Sequence, residues 1–436
     1  MRVIRINGGV LASRSLVDNF ASELKKDEEK ICVVVSEFRG VGKIISAGLK
    51  SISHRLLNPE NVVSEVCKLY KEQTICEDLY VIKPILDELC SMFKGVYLAR
   101  DYSANIHDFM LVQSERMTTY LLKKALELSG CELDVIEPEH IPLHVTNEYG
   151  NATIDTTNAI APLFRNINEK ILLVPGSYGV TADGRVARVG QSAADYTAAA
   201  LVELTGAIKL ELWGMDTPFY AFPPKAGGSP RLVEQLNFSE ASEMAYFNQV
   251  SMHPRVVEPL YDKNIPIEIL IPNDVGEYII ATEISNSYSS SKEGVKCVGL
   301  APIALLSLKG PGVGLKPGIL ASVTGSFSEK DINIRSVVTS QVCINIMIDR
   351  ADVEDVREIT DELELTAVNE KTITNNITLV GVVGHQESFG DDIFKILDST
   401  SVPIKLMEAG IVSTVQYLCI DDADCDEIIN VISNTL

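Results

Sequence analysis

The sequence predicts an α/β fold, in which a sandwich of helices around a mostly parallel sheet is followed by two small units of helices on an antiparallel sheet. Three observations predict it. Apolar runs such as 31–35 and 171–175 alternate with amphipathic segments, as strands buried on both faces do. A polar, serine-rich break covers 286–293. Beyond it, a strand-helix-strand-strand-helix pattern occurs twice.

In chain order, the first part begins with a strand at 3–6 and a helix at 15–26. Its further strands are predicted at 31–35, 171–175, 209–213 and 265–271, with helices across 59–98 and 103–128. The first repeat unit spans 303–309, 318–328, 332–339, 343–348 and 353–363, and the second spans 377–383, 391–397, 402–408, 413–420 and 425–432. Units of this kind leave sheet edges open, so we expect internal pairing or dimerisation.

Composition narrows the class of protein. A length of 436 residues predicts two to four domains, and a net charge of -22 argues against nucleic acid or an anionic membrane as partner. No apolar segment approaches the roughly 20 residues needed to span a bilayer. The nine cysteines contain no C-x-x-C pair and the six histidines are scattered. We therefore expect a cytoplasmic protein with reduced thiols and no metal site.

Two glycine-containing turns are candidate binding elements. Gly190 opens a small-residue turn that leads into a helix, and the start of a helix favours anions. Asp195, in the first helical turn, either caps the helix or holds a magnesium-bridged nucleotide. Gly8 and Gly9 follow the first strand, where they either let the backbone approach a phosphate or form a tight turn.

Several motifs together resemble one known family. They are VVVS at 33–36, QSERM at 113–117, VPG at 174–176, GQSAADYTAA at 190–199, ELW at 211–213, SEA, MAYF and HPR within 239–255, LSLKGPG at 306–312, PGI at 317–319 and DINIR at 331–335. Over essentially its full length the chain resembles an aspartokinase, with an amino-acid kinase fold and two ferredoxin-like βαββαβ ACT domains. The resemblance implies a kinase domain at 1–275, a linker at 276–298 and ACT domains at 299–370 and 371–436.

The resemblance also implies a reaction and its sites. Aspartokinases transfer the γ-phosphoryl group of MgATP to the β-carboxylate of L-aspartate, and their ACT domains bind an inhibitory amino acid, commonly lysine or threonine. Glu115 and Asp195 match catalytic positions. The nucleotide positions are Gly8, Gly9, Ser36, Gly190 and Lys225, and the effector positions are Gly312, Gly318, Ile319, Ser340, Gln341 and Val342. A homodimer or higher oligomer through the ACT domains is expected.

The chain departs from the family where positive charge is required. Ile6 stands in place of the lysine of the family's first glycine motif, Gln191 replaces the arginine that grips the substrate carboxylate, and Val250 replaces another lysine. Arg5 is expected to point to the side of the sheet opposite Ile6, away from the phosphates. Losing one preorganised donor typically costs on the order of a hundredfold to a thousandfold in rate. The sequence therefore predicts impaired phosphoryl transfer.

Three hypotheses follow. The sequence favours an aspartokinase homologue that is weakly active or non-catalytic and that senses an amino acid or regulates a partner. A second hypothesis is an active aspartate kinase with rearranged phosphate contacts, which uses MgATP. A third is a structural assembly module. The retained residues also have purely structural interpretations, in which Ser36 ends a strand, Glu115 pairs with Arg116 or another neighbour, and Asp195 caps its helix.

Overall fold

A computed structural model describes the chain except residues 142, 158–159, 161–163, 165–166, 215–217, 223–230, 248–251, 274–276, 289–293, 331, 366, 386–394, 396, 409–413 and 434–436. It divides into two compact units. Unit 1 comprises Met1–Phe219, Glu234–Ala245 and Val250–Ser289, and unit 2 comprises Tyr220–Val233, Tyr246–Gln249 and Ser290–Leu436. Among the described residues, no helix combines the length and apolar character that a membrane span requires.

Unit 1 is built on an eight-stranded sheet with the order β3-β4-β2-β1-β7-β9-β10-β8. The strands are β1 Arg2–Ile6, β2 Ile31–Val35, β3 Leu133–Val135, β4 Ile171–Pro175, β7 Leu210–Trp213, β8 Gln235–Leu236, β9 Ile267–Pro272 and β10 Tyr278–Ile284. All neighbours pair in parallel except β9 and β10. A separate hairpin joins β5, Tyr178–Val180, to β6, Val186–Arg188. The predicted mostly parallel sheet is confirmed.

Helices cover both faces of this sheet. They are α1 Arg14–Lys26, α2 Val41–Ser53, α3 Pro59–Gln73, α4 Lys83–Ala99, α5 Ala104–Leu111, α6 Gln113–Leu128, α7 Ala194–Thr205 and α8 Phe238–Tyr246. Ile4 and Ile6 of β1 join an apolar core with α1 to α4 and α6. Helix α7 packs on β1, β2 and β7. Because side chains alternate along a strand, Arg5, which lies between these isoleucines, faces α7.

Unit 2 contains one antiparallel sheet of six strands in the order β12-β13-β11-β14-β16-β15. The strands are β11 Gly294–Lys309, β12 Ile334–Thr339, β13 Cys343–Asp349, β14 Glu370–His385, β15 Leu406–Glu408 and β16 Val415–Asp421. The described part of unit 2 includes the helices α9 Ile319–Glu329, α10 Val353–Glu362 and α11 Cys425–Ser433. Each repeat has its own apolar cluster, one around Leu306 and Phe327 and the other around Val380 and Ile428.

The two repeats share this sheet because β11 and β14 pair with each other along their length, from Gly294 opposite His385 to Lys309 opposite Glu370. The internal pairing that the sequence offered as one alternative is therefore present. Phe247 lies over a pair of opposed glycines, Gly299 and Gly381. A Cβ atom added at these glycines would lie 2.5 and 2.0 Å from the Phe247 ring. The absence of side chains there makes room for the ring.

The predicted linker at 276–298 is too long. It contains all of β10, a strand of the unit 1 sheet, and the first residues of β11. The polar sequence at 286–293 lies between β10 and β11, and the apolar residues on both sides of it belong to these two strands. Most of the helix predicted at 391–397 lies outside the described residues.

Candidate active site

The end of β1 places two adjacent side chains on opposite faces of the sheet. Ile6 is fully buried in the apolar core, whereas Arg5, which is 2% exposed, donates from Nε to Oδ1 of Asp195 on α7. Arg5 also donates from Nη1 to the Trp213 carbonyl at 3.5 Å. Arg5 lies opposite Ile6, as expected, and on that face it contacts Asp195, one of the two expected catalytic positions. The face opposite Ile6 is the one that α7 covers, so the candidate site contains a cation.

Asp195 does not cap its own helix. The N-cap residue of α7 is Ala193, and no side chain hydrogen bonds there. Besides Arg5, the carboxylate of Asp195 accepts the backbone N–H of His253 at Oδ2, at 2.9 Å. The capping interpretation is therefore wrong, because Asp195 is used to hold Arg5 and the segment at His253.

The turn before α7 combines an exposed side-chain amide with a backbone conformation that favours glycine. Gln191 is exposed in this turn. Gly190 has a φ of 136°, a region that favours glycine, and a Cβ atom there would lie 3.0 Å from Nε2 of His253. Burial lowers the pKa of His253, against an opposing effect of Asp195, so its imidazole is neutral near pH 7.

The glycine turn after β1 uses its amide groups within the chain. Residues Gly8–Ala12 form a 3-10 turn in which Gly9 N–H donates to Oδ1 of Asn7 at 2.7 Å. Gly8 N–H donates to Oγ of Ser36, at the end of β2, at 3.3 Å. A Cβ atom at Gly8 would lie 2.5 Å from the Glu37 carbonyl oxygen. The absence of a side chain at Gly8 thus lets the two loops approach each other closely.

Glu115 lies in the first turn of α6 and is 1% exposed. The Ser114 hydroxyl donates to its Oε2 at 2.8 Å. Burial, and after it the negative charge of Glu37, raise the pKa of Glu115 to about 7 against the opposing positive charge of Arg188. Arg116 does not pair with Glu115, since its guanidinium contacts Tyr178, Glu137 and Glu139. The neighbour that donates to Glu115 is Ser114.

Arg188, at the end of β6, was missed by the sequence reasoning. It is half-buried, its positive charge acts on Glu115, and its Nε–H is buried and donates to no described residue. Oδ2 of Asp108 accepts its backbone N–H at 2.8 Å. A basic residue at the end of a strand, two positions before Gly190, is the signal that points to it.

Two expected positions fall outside the described residues, namely Lys225 and Val250. Within the described part of the chain, no group of three or more His, Cys, Asp or Glu side chains is arranged to hold a metal ion.

The effector positions in unit 2 occupy two neighbouring loops and a helix start. Gly312 and Gly318 have φ values of 77° and 94°, and Gly318 is the N-cap residue of α9, where Ile319 begins the helix. The Gly310 and Gly314 N–H groups donate to the carbonyls of Val342 and Gln341, at 3.0 and 3.1 Å. Ser340 closes its own turn, because its Oγ accepts from the Cys343 N–H at 3.1 Å. The structure brings these six positions into one region of unit 2.

Comparison with known proteins places this geometry in a family. The model of the amino acid kinase family matches residues 1–270. The chain is 23% identical over 424 residues to Aspartokinase 2, chloroplastic, of Arabidopsis thaliana, covering 92% of this chain and 77% of that protein. It is 22% identical over 335 residues to Lysine-sensitive aspartokinase 3 of Escherichia coli, covering 74% and 73%. A match to the Bifunctional aspartokinase/homoserine dehydrogenase of Buchnera aphidicola, 24% identical over 344 residues, covers 76% of this chain and 42% of that protein.

Solved structures agree with these sequence matches. E. coli aspartokinase III in complex with lysine and aspartate has a TM-score of 0.79 at 21% identity and covers 99% of both chains. Clostridium acetobutylicum aspartate kinase has a TM-score of 0.70 at 15% identity, covering 100% of this chain and 99% of that one. The sheet of unit 2 is consistent with the predicted ACT domains. The predicted fold class is thereby confirmed, and the chain belongs to the amino acid kinase family as a member of the aspartokinases.

Proposed function

We propose that the chain is an aspartate kinase of low turnover, which transfers a phosphoryl group from MgATP to the β-carboxylate of L-aspartate. The observation that carries the proposal is the buried pair of Arg5 and Asp195 at the start of α7. The aspartokinases among its relatives support the reaction, as does the similarity in fold to E. coli aspartokinase III, solved in complex with aspartate and ADP.

The Arg5 pair supports both the reaction and its low rate. A fixed cation beside a helix N-terminus lies where charge on a transferring phosphoryl group can be stabilised. The Asp195 carboxylate offsets part of that positive charge, and Gln191 contributes only a neutral amide. Because phosphoryl transfer depends on positioned charge, we expect a rate well below that of an enzyme with unpaired cations at these positions.

The proposal includes control by an amino acid in unit 2. An amino acid's carboxylate would meet the backbone N–H groups at the start of α9, where no side chain caps the helix. The Lysine-sensitive aspartokinase 3 of E. coli makes lysine the first effector to test. Assembly through the ACT domains into a homodimer or higher oligomer is part of the same proposal.

The test is an assay for ATP-dependent aspartyl phosphate, trapped as the hydroxamate. We expect slow formation that requires both MgATP and L-aspartate. Asp195→Asn should reduce it at least about tenfold, because Arg5 loses its charged partner and its fixed position. The matched control is Glu203→Gln on the same helix, an acid that pairs with Lys263 instead. Wild-type formation no faster than that of Asp195→Asn would refute catalysis.

A non-catalytic amino-acid sensor remains the second candidate. It is favoured by the glycine turn, where the Gly8 and Gly9 amides already donate to Ser36 and Asn7 and are not free for a phosphate. Thermal shifts separate the two functions. A sensor should be stabilised by lysine or threonine but not by MgATP, whereas a kinase should respond to MgATP as well.

A further inference from the structure

Arg188 is a charged side chain whose hydrogen-bonding capacity is not fully used within the chain. Its backbone is fixed on three sides, because Tyr178 is its partner in the β5–β6 hairpin, its N–H donates to Asp108 at 2.8 Å, and its carbonyl accepts from Ala152 at 2.9 Å. Its Nε–H is nevertheless buried and donates to no described residue. A buried charged donor that lacks an acceptor is destabilising, so such a group is unusual unless something else binds it.

Glu115 is the carboxylate on which Arg188 acts, yet the two do not form a pair. Both residues are described, and no nitrogen of Arg188 lies within 4.0 Å of a Glu115 carboxylate oxygen. The positive charge of Arg188 lowers the pKa of Glu115, which burial and Glu37 hold at about 7. The Arg188 guanidinium thus lies near enough to the Glu115 carboxyl group to affect its charge, but the two form no hydrogen bond or ion pair.

Arg188 also differs in setting from the other arginines near the site. Arg5 is bound to Asp195, and Arg116 contacts Glu137 and Glu139. Arg255 pairs with Glu258 and lies 4.4 Å from the centre of the Tyr196 ring. Each of these three has a carboxylate partner within the chain, whereas no ion pair of Arg188 with a described residue is found. Its planar fork is therefore available to a carboxylate from outside.

We propose that Arg188 is the residue of the candidate site that recognises a substrate carboxylate, in place of position 191. This deepens the proposed function, on which it rests, by assigning substrate specificity to β6 rather than to the turn before α7. Gln191 is exposed and offers a neutral amide, while Arg188 offers a charged bidentate donor held by a fixed strand. Arg188 contacts the substrate without taking part in bond making.

The position of Arg188 defines the class of ligand. A guanidinium favours a planar carboxylate with two oxygens over an amide or hydroxyl group. Once ionised, the nearby Glu115 disfavours a second negative group at the same place and favours a cationic one. The site therefore suits a small amino acid rather than a dicarboxylate that lacks an amine, such as succinate.

The experiment measures L-aspartate binding to the full chain by calorimetry and KM and kcat by the hydroxamate assay. Arg188→Gln should weaken L-aspartate binding about 10- to 100-fold and raise KM, with a smaller change in kcat. Arg188→Lys retains the charge but loses the fork, and it should recover part of the affinity. The matched control is Arg185→Gln, an exposed arginine of the same hairpin that pairs with Asp183, which should stay within about twofold of wild type.

The outcomes separate this inference from the kinase proposal. Wild-type binding of L-aspartate that Arg188→Gln removes, with no turnover by either protein, would support the inference and refute the kinase. Turnover with an unchanged KM in Arg188→Gln, or loss of affinity in Gln191→Ala but not in Arg188→Gln, would overturn the inference alone. If the wild-type protein does not bind L-aspartate, both the role of Arg188 and the assignment of L-aspartate as substrate are overturned. Arg188→Lys, which keeps the charge beside Glu115, serves as the folded reference where Arg188→Gln is unstable.

Discussion

Two helix starts, α7 in unit 1 and α9 in unit 2, both lack a side-chain cap but differ in the charge that they present. A glycine with positive φ precedes each of them, Gly190 at 136° and Gly318 at 94°, and neither helix has a side-chain cap. The first turn of α7 carries Asp195, which the chain pairs with Arg5, whereas the first turn of α9 has no acidic residue. An incoming anion therefore meets a paired carboxylate at α7 and uncharged backbone at α9.

The comparison teaches that positive charge alone does not make an anion site. At α7 the cation is already paired with Asp195, so its removal should lower the stability of the chain as well as the proposed activity. At α9 there is no charge to lose, and backbone geometry alone should matter. Substitutions at Arg5, Gly8, Glu115 and Gly318 test this difference, and the one at Arg5 should destabilise the chain most.

Arg5→Met tests the internal pair and should have the largest effect. It leaves the Asp195 carboxylate buried without its cation, and breaking a buried ion pair from one side costs about 3–5 kcal/mol. Urea denaturation of the full chain measures the loss. The control is Arg5→Met with Asp195→Asn, which removes both charges but keeps an acceptor for the His253 N–H, and it should recover part of the stability. A loss below about 1 kcal/mol for the single variant would show that the pair is not a stabilising element.

Gly8→Ala tests whether the glycine turn is set by packing. A Cβ atom would lie 2.5 Å from the Glu37 carbonyl oxygen and 2.8 Å from the Phe38 nitrogen, both backbone atoms that cannot easily move. We expect a loss of about 3 kcal/mol in the free energy of unfolding, typical of severe overpacking. Gly9→Ala is the matched control, because its Cβ atom would meet only the Asn7 side chain, at 3.1 Å. Equal losses in the two variants would argue against the close approach of the two loops.

The sequence predicted local structure better than it predicted contacts between residues that are far apart in the chain. Strands β2 and β4 have the predicted bounds, because a continuous apolar run between polar segments has one plausible structure. The first half of β11 was missed, since Gly294 and Gly299 weaken the strand pattern. Phe247, from a distant part of the sequence, fills the space above Gly299, and no local pattern reveals it.

The candidate site shows the same limit. Alternation along β1 correctly puts Arg5 opposite Ile6, but the position of the site depends on which face α7 covers, and that is decided by packing. The importance of Arg188 comes from a carboxyl group far away in sequence, Glu115. Residue types and spacing therefore identified the motifs that resemble the family, while the contacts that give the charges their roles required the fold.

Glu115→Gln tests the buried carboxyl group through the pH dependence of stability. Its pKa is raised from 4.5 to about 7 in the folded chain, so between these values the folded state retains a proton that the unfolded state has lost. Raising the pH through this window should therefore destabilise wild type relative to Glu115→Gln, by about 3 kcal/mol in total. Urea denaturation at several pH values from about 4 to about 8 measures this difference.

The opposite sign would contradict this account. If wild type gained stability relative to Glu115→Gln as the pH rose, the folded pKa would have to lie below its ordinary value. Arg188 would then outweigh burial, and the two residues would be paired in solution. Glu203→Gln, on α7 and paired with Lys263 at 3.1 Å, is the control substitution for loss of a helix carboxylate.

Gly318→Ala tests the uncharged helix start and should have the smallest effect. Alanine is strained at a φ of 94°, although nothing lies within 4 Å of the added Cβ atom, so we expect a loss of about 1 kcal/mol. Gly325→Ala, in the interior of the same helix and equally free of neighbours, should instead stabilise the chain by up to about 1 kcal/mol. Opposite signs for the same substitution within α9, measured as shifts in the urea midpoint, would isolate backbone conformation as the cause. Two losses of similar size would mean that the added methyl group itself, and not the left-handed backbone at the helix start, is what α9 does not tolerate.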